Sequence, residues 1–186
     1  MAVLVEAISV IVRRDAIERK YVGGWDSFER AVPNATLCTD EDLACVSFMH
    51  PHDVGAFIEI LTRNGLRFIE DGKAIDIAVA DQQRGFTSGC DWLEFGKLSF
   101  GNSSKVSACW LIEEEGPHGY GLRVSNTSMK LATPEGWQFE GSLSQQFGFV
   151  STGDEAGRLR LLRREATVDV YLDLETGKEV YVGRTS

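Results

Sequence analysis

The run from Val3 to Val12 sets the first constraint on this chain. It is nearly all apolar and rich in valine and isoleucine, so neither of its sides is suited to water. Such a run predicts a strand covered on both faces, lying centrally in a sheet. Glu6 interrupts it, and Arg13 and Arg14 follow it where an export signal would carry its positive charges in front. The segment therefore reads as a strand, and the expected compartment is the cytoplasm.

A strand buried on both faces needs cover, and the residues that follow supply helices. Asp15 to Lys20 can open a helix that Gly23 and Gly24 break. Trp25, Phe28 and Val32 then recur at helical spacing until Pro33 stops the pattern. Thr36 to Cys38 and Leu43 to Met49 flank Asp40-Glu41-Asp42 and predict a hairpin with a solvated acidic tip. The clearest helix spans Pro51 to Asn64: Pro51 suits its first position, Asp53 complements its positive end, and Val54, Phe57, Ile58 and Leu61 make one apolar stripe. Asn64-Gly65 supplies a left-handed stop. Leu66 to Ile69 and Ala74 to Ala80 follow as strands around Asp71-Gly72. That order suits a ferredoxin-like βαββαβ unit, a helix-on-sheet arrangement.

After Phe86 the helical period disappears. Short apolar runs recur between glycine-containing turns at Trp92 to Phe95, Val106 to Ile112, Leu122 to Val124, Phe147 to Val150 and Leu159 to Leu162. Val168, Val170 and Leu172 alternate with polar positions, then Glu175-Thr176-Gly177-Lys178 turns into Val180 to Val182, a hairpin signature. The fold class expected is α+β, with an N-terminal helix-on-sheet part followed by a mostly antiparallel β half. At 186 residues one domain suffices to bury a core. The composition shift near Phe86 offers a candidate seam between 1–85 and 86–186.

Twenty-eight acidic against 19 basic residues leave a net charge of −9, which disfavours nucleic acid and anionic membranes and favours cationic partners. No window approaches the roughly 18 apolar residues of a spanning helix. Cys38, Cys45, Cys90 and Cys109 lie far apart, unlike a disulfide framework, and are read as thiols.

Several residue groups can carry chemistry. His118 lies in a glycine-rich loop after Glu113, Glu114 and Glu115, where a neighbouring anion would raise its pKa toward that of a working general base. Asp76 sits inside an apolar strand, with Asp91 and Glu94 in the next segment; paired carboxylates can divide acid and base roles. The competing structural reading has Asp76 pointing outward or paired with an arginine. His50 and His52 are zinc-ligand types beside Cys45 and Asp53, but as the cap and first turn of a helix they need not converge. No metal and no cofactor are expected. Trp92, Phe95, Phe100, Trp110, Trp137 and Phe139 gather in the β half as core, with Trp137 the member expected at a turn and partly exposed.

No nucleophile elbow or phosphate-binding loop is present in the sequence. Two functions remain. The first is a non-enzymatic binding protein engaging a basic partner or a small ligand, through Asp40, Glu41, Asp42, Glu113, Glu114, Glu115 and Trp137. The second is a small hydrolase- or lyase-type enzyme using His118 with Asp76, Asp91 or Glu94.

Overall fold

A computed structural model describes residues 1–100, 104–112, 129–146, 159–164, 168–173 and 179–183. In chain order the elements are β1 (Ala2–Val5), β2 (Ile8–Arg13), α1 (Arg14–Lys20), α2 (Gly24–Ala31), β3 (Cys38–Thr39), β4 (Leu43–Phe48) and α3 (Pro51–Arg63). They continue with β5 (Ile69–Glu70), β6 (Lys73–Ala74), β7 (Ile77–Asp81), β8 (Gly85–Phe86), β9 (Leu93–Phe100), β10 (Ser104–Leu111) and β11 (Leu131–Ala132). Last come α4 (Leu143–Gln146), β12 (Leu159–Arg164), β13 (Val168–Asp173) and β14 (Glu179–Gly183). Helices and several sheets make this an α+β protein. It divides into two compact units, Met1–Trp137 and Gln138–Ser186. Among the described residues no helix is long and apolar enough to cross a membrane.

The apolar run at the start is two strands, where the sequence predicts one. It breaks at Glu6-Ala7, and its halves enter different sheets. Ala7 takes φ +48°, a left-handed conformation uncommon for a residue with a side chain. Local and distant hydrogen bonds hold it there: Ser9 Oγ donates to the Glu6 carbonyl (3.0 Å), and Gln82 Oε1 accepts the Ala7 N–H (2.8 Å). Gln82 N returns a bond to the Ala7 carbonyl (2.8 Å). Both strands are nonetheless covered as the run requires, with Val3, Val5, Val10, Ile11 and Val12 wholly buried.

β2 lies in the middle of a five-stranded sheet of order β3-β4-β2-β7-β8, every neighbouring pair antiparallel. β2 and β3 thus run the same way with β4 between them, joined through α1 and α2. β4 and β7 likewise flank β2, joined through α3. This is the split βαβ connectivity of a βαββαβ unit, with β8 added at one edge. The helices cover one face. Val10, Val12, Ala44, Val46, Phe48, Ile77 and Val79 from the strands meet Ile17, Phe28, Val54, Phe57 and Leu61 from the helices in one apolar cluster. Phe57 is its hub, with ring centroids 5.5 Å from Phe48 and 6.3 Å from Phe28. Val32, next to Pro33, turns extended and ends α2, as a residue before proline must.

The opposite face meets a four-stranded sheet of order β11-β1-β10-β9. The contact is both apolar and thiol-rich. Cys38 and Cys45 are direct partners across β3 and β4, and both thiols point at the Leu4 carbonyl of β1, at 3.9 and 3.2 Å. All four cysteines are free, and three are buried. A polar tie fixes the other end: Lys97 Nζ on β9 donates to the Gln82 carbonyl (2.7 Å) and to Ser107 Oγ (2.6 Å). Ser107 Oγ donates to the same carbonyl (2.7 Å). Burial lowers the Lys97 amine to about 8, while nearby Asp81 acts in the opposite sense. On β9, Gly96 makes room for Trp110: a Cβ there would lie 2.7 Å from the indole ring. Trp110 is buried, Trp92 and Phe95 are half-buried, and Trp137 packs edge-on against the exposed Phe100, with centroids 5.5 Å apart.

The strand expected over Ala74 to Ala80 is interrupted at Ile75-Asp76, leaving β6 and β7. There the backbone bonds sideways to the segment after α3: Ile75 N to Phe68 O (2.9 Å) and Asp76 N to Arg67 O (3.0 Å). In the second unit β12, β13 and β14 form an antiparallel meander, which places the expected C-terminal hairpin in β13 and β14. The runs at Leu122 to Val124 and Phe147 to Val150 lie outside the described residues.

Candidate functional site

Asp76 is the least expected side chain of the first unit, a carboxylate 3% exposed. A buried charge persists only with partners, and this one uses both oxygens. Oδ1 accepts a bond from Lys20 Nζ at 2.7 Å, and Oδ2 accepts the Arg67 backbone N–H at 2.9 Å. The Arg67 guanidinium adds an ion-pair contact at 3.8 Å. The Asp76 carbonyl accepts the N–H of Arg13, the last residue of β2. One residue thereby joins β2, the end of α1 and the segment after α3. The outward reading of Asp76 fails for this reason, whereas pairing with an arginine is present together with a lysine.

Above Asp76 lies a cleft of about 190 Å³. Its charged lining is Arg13, Arg19, Lys20 and Arg67 against Asp15 and Asp76. Helix geometry explains the grouping. Asp15 and Arg19 are one turn apart on α1, so they meet on one face. Arg13, just before the helix, closes on the same carboxylate through two bonds of 3.1 Å. Two guanidinium groups therefore share one carboxylate. Arg67 also reaches Glu70 at 3.1 Å, away from the cleft. Arg13 rests 5.7 Å from the Trp92 ring centroid, which limits its freedom.

The other expected site residues are dispersed. Asp91 is exposed and pairs with Lys73 at 2.5 Å. Glu94 is exposed and accepts the Trp110 indole N–H at 2.9 Å. Neither shares a partner with Asp76. Asp40 is buried, correcting the solvated tip: its Oδ1 accepts the N–H groups of Asp42 (2.8 Å) and Leu43 (2.7 Å). Glu41 and Asp42 are exposed. Trp137 is partly exposed beside a turn, its backbone N–H bonded to the Pro134 carbonyl at 3.1 Å. Glu113, Glu114, Glu115 and His118 lie outside the described residues. His50 caps α3 without a side-chain bond, and His52 lies 3.4 Å from Asp53. Among the described residues no group of three metal-ligating side chains is close enough to hold an ion.

No family model, curated protein or solved structure matches this chain. The cleft's own geometry is therefore what marks a site. The sequence marks the cleft's basic residues only through the position of Arg13 after an apolar run. The signal that could have found them is the i,i+4 pair Asp15 and Arg19 with Arg13 two residues ahead. Lys20 and Arg67 carry no such signal, since their meeting point is fixed by chain pairings 56 and 9 residues long.

Replacing Asp76 by alanine is expected to cost about 2–3 kcal/mol, because it strands the Arg67 N–H and removes the counter-charge of Lys20. Asn should recover part of the loss by still accepting the N–H. Urea denaturation of both variants checks this, and equal stabilities of the two would mean that the bond to the Arg67 N–H contributes nothing.

Proposed function

We propose that this is a non-enzymatic binding protein whose ligand is a small molecule seated in the cleft beside α1. The observation that carries the reading is the state of Asp76. Its oxygens are both engaged, Oδ1 by Lys20 and Oδ2 by the Arg67 backbone N–H, so it serves as a fixed floor under a charged rim. Among the described residues, the lining holds no histidine, cysteine or hydroxyl, and its lysine and two aspartates, which could also act as nucleophile or proton shuttle, are held in ion pairs. The volume suits a ligand smaller than a typical drug-sized molecule. The hydrolase or lyase alternative draws no support from Asp76, Asp91 and Glu94, which occupy separate pairings. At the acidic turn, Glu41 and Asp42 keep a face suited to a basic partner.

The test is a titration of isotopically labelled protein with pools of small metabolites, followed by amide resonances. Ligands are expected to move the amides of residues 13–20 and 67–76 and to be recovered chemically unchanged. Conversion of the bound compound, or binding that leaves these amides still, would sink the proposal.

A further inference from the structure

We infer that the cleft beside α1 recognises a small oxyanion, a phosphate or carboxylate group carried by its ligand. The inference rests on the cleft being the ligand site and adds the class of ligand. In a chain with net charge −9, four cationic side chains lining one cleft with two carboxylates are a local reversal of sign. The surplus sits around Asp15, where one carboxylate faces both Arg13 and Arg19. Compensation is nearer to complete at the floor, because Lys20 and Arg67 face Asp76 and Arg67 also faces Glu70.

The donors have capacity left. An ammonium has three N–H groups and a guanidinium five. Lys20 uses one on Asp76, and its side chain is 38% exposed. Arg19 bonds the Asp15 carbonyl and carboxylate and is 70% exposed. Arg67 is about half exposed. An oxyanion entering between Arg19, Lys20 and Arg67 would gain charge-assisted bonds without breaking the Asp76 floor, and guanidinium forks match carboxylate and phosphate geometry. Part of the positioning is already made, since Asp15 holds both Arg13 and Arg19. Such preorganisation lowers the ordering cost of binding.

The experiment titrates the labelled protein with inorganic phosphate and, separately, with malonate, at constant ionic strength maintained with chloride. Saturable shifts confined to residues 13–20 and 67–76 are expected for at least one anion, and the tighter of the two identifies the source of the oxyanion. Arg19→Gln and Arg67→Gln should each weaken that binding about tenfold or more. Arg63→Gln, which removes an exposed pair with Glu59 on α3, should not change it. Arg19 is largely and Arg67 about half exposed, and unaltered thermal melting would verify that the variants fold. Shifts that a matching titration of chloride alone reproduces, or that persist unchanged in both variants, would overturn the inference. If uncharged ligands move the same amides and neither anion does, the anion class falls while the cleft remains the ligand site.

Discussion

Phe57→Ala is expected to lower the stability of the protein by about 3–5 kcal/mol, the range for removing a wholly buried aromatic ring. Phe57 is 1% exposed, and its ring joins the α2 residue Phe28 to the β4 residue Phe48. Its loss therefore opens a void that three elements would have to move to fill. Against a total of about 5–15 kcal/mol for a typical domain, the variant would sit near its threshold. Gly65→Ala tests the same helix by another route. Gly65 has φ +104°, and a Cβ there would stand 2.5 Å from the Lys20 carbonyl oxygen. That neighbour is backbone, tied in place as the chain leaves α1: Val22 N donates to the Asn64 carbonyl at 3.0 Å. Strain of about 1–3 kcal/mol at the left-handed position adds to this contact. Urea denaturation measures both. Near-neutral values would mean that α3 does not pack as described.

What could be read from the sequence was local and periodic. α3 follows from one apolar stripe, a proline at its start and Asn64-Gly65 at its end, all within a few turns of helix. The β13 and β14 hairpin follows from strict alternation. The break at Ala7 left only the single charge of Glu6 as a mark. Both halves of the run are buried on both faces, so the run still reads as one strand, and the turn is held by Ser9 nearby together with Gln82, 75 positions away. Asp40 was misplaced for the opposite reason. Three adjacent acids suggested water, yet an aspartate two and three residues ahead of free N–H groups is also the signature of an Asx turn, and that local bond took it inside. The cleft was the least legible part. Its floor residue stood out as a charge in an apolar strand, but the partners that make it a site come from α1 and from the segment after α3. Only the strand order brings them together.

The thiols between the two sheets should make the protein sensitive to alkali. Cys45 is held well above the ordinary thiol value by its contact with Cys38 and by burial, and burial raises Cys109 as well. In the unfolded chain both would ionise near pH 8.5. A pKa raised by folding gives a contribution that is complete below the unfolded value and is lost as pH rises toward the folded one. Above about pH 9 the unfolded state thus binds fewer protons at these two sites, and together they remove up to roughly 3 kcal/mol of stability per pH unit. Cys90, half-buried and also raised by burial, acts in the same direction. Lys97 opposes them. Its folded value near 8 lies below the unfolded lysine range, so from pH 8 to about 10.4 the unfolded chain holds the extra proton and stability gains; partial exposure of the amine reduces that gain. Denaturation midpoints from pH 8 to 10 under reducing conditions should fall with pH. The slope should flatten by about 1.4 kcal/mol per unit in Cys45→Ala and again in Cys109→Ala, and steepen in Lys97→Met. Slopes that coincide in all four proteins would mean that these groups titrate alike in the folded and unfolded states, and that the thiol layer beneath β1 is open to solvent.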